Sequence, residues 1–150
     1  MADQTIVPII SSSTAGPLGV LHLPRLWTKL TLGAHGLLPK GYDECGSGFD
    51  AMTLSALKID RDKAIAFVRE SKPTYMQFEG WILKQNGGAI DRTSIAAHNQ
   101  AVLGYNHSDD YGGALRAASG IQDPSIKDAV TLNTVEDLDE VHRQVAAASA

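Results

Sequence analysis

A single cysteine, Cys45, leaves this chain of 150 residues no internal disulfide. The small stapled folds of secreted proteins are thereby excluded, and a reducing cytoplasm is the expected setting. Long apolar runs are also missing. The stretch from Ile6 to Ile10 is short and broken by Pro8, and Met1–Thr5 carries no basic residue, so neither a signal peptide nor a membrane span is expected. No run of Lys or Arg occurs, and the net charge is −4. Nucleic acid and anionic membranes are therefore not expected partners. P-loop, G-x-G-x-x-G, H-E-x-x-H, G-x-S-x-G and C-x-x-C patterns are all absent, which disfavours ATP hydrolysis, a dinucleotide cofactor, a zinc-protease site and a hydrolase elbow. The five histidines lack metal-ligand spacing, so the expectation is no metal and no cofactor. Alternating β-branched stretches are lacking too, which removes the signal for a sheet.

What remains is helical periodicity. Residues 1–20, with Ser11-Ser12-Ser13, Thr14, Gly16, Pro17 and Gly19, form an irregular arm that Leu18 and Val20 could dock. From Pro24, the residues Leu26, Trp27, Leu30, Ala34 and Leu37 recur at helix spacing, up to about Leu38. Further helices are expected from Phe49 or Asp50 to about Lys58, from an Asp60 cap to Ser71, from Pro73 to the Asn86-Gly87-Gly88 stop, and from about Thr93 to Gly104. Asp109–Ser119 reads as helical despite its glycines, a short turn of helix follows Pro124, and a last helix begins near Thr134. The expected fold is all-α: a compact bundle of about five to seven short helices in one domain over 21–150.

Several short pieces carry a resemblance. Leu21-His22-Leu23-Pro24-Arg25-Leu26-Trp27-Thr28-Lys29-Leu30 is followed in order by Gly48-Phe49-Asp50, Leu57-Lys58-Ile59-Asp60, Lys72-Pro73-Thr74, Phe78-Glu79-Gly80-Trp81 and Asn99. Over roughly residues 17–105 the chain thus resembles a small, mostly bacterial family known only as a domain of unknown function. The resemblance implies a compact helical domain and no activity.

Glu79 is the residue that asks for an explanation. Helical geometry sets its carboxylate between Tyr75 and Leu83, inside an apolar arc that includes Phe78 and Ile82. An unpaired carboxylate there is costly, so it must be neutral, paired or in a wet site. Asn99 breaks the apolar face of its own helix, and so does His142 beside Val135, Leu138 and Val145. Such groups satisfy one another most cheaply, which suggests a contact between Glu79 and Asn99, extended by His98 or His142.

Two readings of this set compete. In one, it only fixes helix register. In the other, it lines an internal pocket where desolvation suits Glu79 to acid–base work, with Tyr75 one turn away as donor. Arg25 needs an acid or an anionic ligand, because Leu32 shares its side of the helix and marks that side as covered. Glu79 is the candidate partner, and pairing would instead hold it ionised. Lys29 reads as solvated. His22, just before the Pro24 helix, is a candidate second base. Trp27 could wall a flat ligand, and Gly46-Ser47-Gly48 could offer amides to an anion. Asp43 and Glu44 disfavour a Cys45 thiolate.

The function expected from these residues is a cofactor-independent acid–base enzyme, a lyase, isomerase or hydrolase, acting on a small anionic or carboxylate-bearing molecule. Glu79 and His22 would be catalytic, and Arg25, Tyr75, Asn99, Trp27 and His98 would bind substrate. The alternatives are a non-catalytic ligand-binding or regulatory module and a purely structural protein. The apolar character of both sides of the first helix also suggests a homodimer.

Overall fold

Helix starts in this chain are written by short polar side chains. In the computed structural model, which describes residues 4–149, Asp60 accepts from the Lys63 amide to open α3 (Arg61–Ser71), and Thr74 and Gln77 form a capping box at α4 (Tyr75–Gln85). Asp91, Ser108 and Asp128 cap α5 (Arg92–Gly104), α6 (Asp109–Ser119) and α7 (Ala129–Ala148) in the same way. Only α1 (Leu23–Ala34) and α2 (Phe49–Ala56) have no side-chain cap. The residue preceding α1 is His22, held at φ 73°, a region that costs a non-glycine residue about 1–3 kcal/mol. Its ring is committed elsewhere.

The all-α expectation holds: the described residues contain seven helices and no strand. Helix α1 is central. Its face of Leu23, Leu26 and Leu30 packs with Leu54, Leu57, Val68, Phe78 and Ile82, so that α2, α3 and α4 surround it, while α2 also packs against α5. Helices α6 and α7 pair with each other around Leu115, Ala129 and Leu132. No residue of either belongs to the main apolar cluster.

Three boundaries differ from the sequence reading. Helix α1 ends at Ala34 rather than near Leu38, because Gly36 takes a left-handed backbone (φ 68°) and the Leu37 amide returns to the Leu32 carbonyl at 2.8 Å. Helix α4 starts at Tyr75 rather than Pro73, because Thr74 and Gln77 provide a better cap than a proline N-terminus. Residues 124–125 form a turn, and the last helix begins at Ala129, where Asp128 takes the Thr131 amide at 2.9 Å; the expected cap at Asn133 or Thr134 lies inside that helix. Met1–Asp3 of the expected arm, and the final Ala150, lie outside the described residues. Among the described residues no helix is long and apolar enough to cross a membrane.

Candidate functional site

The arm explains most of the polar residues singled out from sequence. Glu79 is 2% exposed, and its Oε2 accepts from the Tyr75 hydroxyl at 2.6 Å and from the Leu18 amide at 3.4 Å. Asn99 accepts from the Leu21 amide at 3.0 Å and donates to the Gly19 carbonyl at 2.8 Å. His98 Nε2 lies 3.0 Å from the Leu21 carbonyl, and Arg92 donates to the Leu18 carbonyl at 2.6 Å. A segment without regular structure has no ladder of its own, so these side chains satisfy its backbone. Glu79, Asn99 and His98 therefore converge on the arm through residues 18–21, not on one another. Tyr75 completes the Glu79 contact, and burial, reinforced by the Glu79 hydrogen bond and charge, raises its hydroxyl well above the ordinary tyrosine value. Trp27 packs edge-on against Tyr75 and donates to the Pro73 carbonyl at 3.2 Å. None of these five lines the large cleft described below. His142 is exposed and joins no buried network.

Arg25 and Lys29 occupy the other face of α1, and both are buried, at 8% and 9% exposure. Arg25 grips Asp137 of α7 with both guanidinium ends, at 2.6 and 3.2 Å, and also donates to the Pro8 and Ile10 carbonyls. Its acid partner is thus Asp137 and not Glu79. The solvated reading of Lys29 is likewise replaced: its Nζ donates to Asp50 Oδ2 at 2.5 Å. The other oxygen, Asp50 Oδ1, lies 2.6 Å from His22 Nε2, and the Gly46 amide donates to Oδ2 at 2.8 Å. The glycine-rich loop therefore gives this amide to the chain's own carboxylate rather than to a foreign anion.

The charge states follow from these contacts. Burial alone opposes ionisation of Asp50, but the His22 hydrogen bond and the Lys29 charge outweigh it and hold the carboxyl down at about 2. Burial also lowers the His22 pKa, against the opposing pull of Asp50. A carboxylate can only accept, so neutral His22 carries its proton on Nε2, and Nδ1 accepts from the Ser12 hydroxyl at 2.9 Å. Lys29 has three donors and only one partner among the described residues, which leaves two N–H bonds for the space in front of it.

That space is a cleft of about 660 Å3 between α1 and α2 on one side and α7 on the other. His22, Arg25, Lys29 and Asp50 reach it from the core side. Helix α7 supplies Asn133, Glu136, Asp137 and Glu140, spaced by three and four residues along one face. The remaining wall is aromatic. Phe49 meets Tyr105 edge to face at 5.5 Å, and His107 meets Tyr111 at 4.7 Å. Tyr42 donates to Asp137 Oδ1 at 2.8 Å, and burial together with that bond raises its hydroxyl pKa.

Asp50, Asp137 and Tyr42 escaped the sequence reading. A signal was present in α7, where Asn133, Glu136, Asp137 and Glu140 repeat at helical spacing, but the apolar Leu138 and Val145 on another side drew attention as the inner face. In the structure those two are 51% and 59% exposed, while Asp137 is 2% exposed. Helix α7 turns its acids inward because Arg25 and Tyr42 wait there. The second side of α1 is covered within the chain, where Arg25 pairs with Asp137, Lys29 pairs with Asp50 and Leu32 is buried.

Fold and site together define an all-α protein with a polar, aromatic-walled cleft between a helical core and a helix hairpin. Compared with models of known families and with curated proteins, the chain matches none. Among the described residues no three His, Cys, Asp or Glu side chains are grouped to hold a metal ion.

Proposed function

We propose that the protein binds a small polar molecule in this cleft and performs cofactor-independent acid–base chemistry on it, with Lys29, Asp50 and His22 in the roles first expected of Glu79 and Arg25. The observation that carries this reading is one buried carboxylate shared between an ammonium and an imidazole at the cleft wall. Burying three ionisable groups together is expensive, and a plain structural link is made more cheaply by apolar residues. Lys29 points unused N–H bonds at the cleft, which suits it to hold or protonate an oxygen of the ligand. Asp50 anchors the Lys29 side chain at the cleft wall, and His22 fixes the orientation of that carboxylate. The strained backbone of His22 is the kind of local cost met at working sites. A reducing intracellular compartment suits the lone buried thiol of Cys45, whose pKa burial and Asp50 raise.

The test is a thermal-shift screen of small metabolites, followed by turnover assays on the compounds that bind. Lys29→Met is expected to lower turnover by a factor on the order of 100 or more. His22→Asn, which tolerates the left-handed backbone, should lower it less. Tight binding in the cleft with no turnover by the unaltered protein would establish a binding module instead. That second reading draws on one observation, namely that both ring nitrogens of His22 are already engaged.

A further inference from the structure

Charge pairing across the cleft leaves a specific remainder. Arg25 is matched by Asp137, Lys29 by Asp50, and Arg143 by Glu140 at 2.7 Å. Glu136 lies on the same face of α7, half-buried, and no described residue offers it a hydrogen bond or an ion pair. The other charged side chains on the lining without a partner, Lys40 and Asp43, are exposed. Glu136 is therefore the half-buried carboxylate of the lining that has no direct partner among the described residues, with His107, Arg25 and Arg143 acting on it only through their charge.

Its surroundings are aromatic. Tyr105, His107 and Tyr111 form a chain of edge-to-face contacts along the wall, and neither Tyr105 nor Tyr111 has a hydrogen-bond partner for its hydroxyl among the described residues. Both are about half exposed, at 47% and 51%, so aromatic surface is left open in the same cleft as the carboxylate, whose charge acts on Tyr111. Aromatic faces attract cations through their quadrupole, and an adjacent carboxylate adds both charge and a hydrogen-bond acceptor. Neither feature suits an anion.

We infer that Glu136, with Tyr105 and Tyr111, forms a subsite for the ammonium group of an organic amine, so that the ligand of this cleft carries a protonated nitrogen on an apolar body. The inference rests on the reading of the cleft as a ligand site, and it adds a cationic group to the small anionic or carboxylate-bearing molecule expected from sequence. Two facts reinforce it. Burial and the neighbouring Asp137 raise the Glu136 pKa, so a bound cation would relieve a destabilised negative charge. Arg25, which could have served an anion, is already engaged by Asp137 and two carbonyls.

The test compares three probes of one shape on the whole protein by NMR titration: 2-phenylethylammonium, the neutral 2-phenylethanol and the anionic 3-phenylpropionate. The ammonium should bind at least tenfold more tightly than either counterpart, with shifts centred on Tyr105, Tyr111 and Glu136. Glu136→Gln should remove most of that preference, and Tyr111→Leu should weaken the ammonium about tenfold; melting curves on both variants verify that they are folded. Tighter binding of the carboxylate, no binding of any probe, or an ammonium affinity within twofold in Glu136→Gln would overturn the subsite. Failure of the acid–base reading looks different: the ammonium would still bind at Glu136, while no amine was turned over.

Discussion

Arg25 and Asp137 stand 112 positions apart in sequence and close a two-pronged ion pair at 2.6 and 3.2 Å that ties the central helix to the last one. Both side chains are nearly sealed from water, at 9% and 3% exposure. Removing one partner should therefore cost far more than the pair contributes. Asp137→Asn is expected to destabilise the fold by about 3–5 kcal/mol, and the double change Arg25→Met with Asp137→Leu should recover much of that. Urea denaturation of the three variants measures both quantities.

Acid should act on the cleft in two stages. The His22 pKa is lowered by burial from 6.5, so below that value the unfolded chain takes up a proton that the folded one resists, and stability declines. Asp50 is held at about 2 against 3.8 unfolded, so its contribution is complete above about 4 and is lost as pH falls towards 2. His22→Asn should flatten the upper stage and Asp50→Asn the lower one. The check is the free energy of unfolding measured every half unit between pH 7 and pH 2.

Glu136 has the opposite sign. Its pKa is raised, by burial first and by Asp137 second, so its ionisation at neutral pH works against the folded state. Glu136→Gln should raise the melting temperature at pH 7 modestly, since the group is partly solvated, and should change nothing at pH 3. A drop at pH 7 would show that the carboxylate has a structural partner.

Gly16 holds the arm close to α4. A Cβ there would lie 2.5 Å from Tyr75 Cε2 and 2.7 Å from Glu79 Oε2. Gly16→Ala should break the bond between Tyr75 and Glu79 and destabilise the protein by about 1–3 kcal/mol. Glu79→Gln should speed hydrogen exchange at the Leu18 amide while leaving ligand affinity in the cleft unchanged. A lost ligand affinity would return Glu79 to the functional site.

Helix periodicity and capping residues carried the fold: Asp60, Thr74 with Gln77, and Asp91 announce their helices locally, and the leucines of α1 point at a core. The burial of Glu79 was legible for the same reason, since a helix fixes which side a residue faces. Its partners were not. The Leu18 amide reaches it from 61 residues away, and backbone groups of an irregular arm leave no pattern in a sequence. The cleft was harder still. Lys29 looks like a surface lysine until Asp50 is known to lie 2.5 Å away, and the choice of inner face on α7 depends on Arg25. Long-range ionic pairing decides what hydrophobic periodicity alone assigns wrongly.

The hairpin of α6 and α7 contributes nothing to the main apolar cluster, and the polar contacts that hold α7 to the rest include those of Arg25, Tyr42, Gln144 with Thr5, Asn133 with His107 and the Ala129 amide with the Tyr105 carbonyl. Attachment of this kind depends on ionic strength and proton activity more strongly than the apolar packing of the core does. The two parts should therefore separate along the cleft before either one melts internally. A molecule lodged between α1 and α7 then acts as a rivet, and the number of unfolding transitions becomes a reading of occupancy.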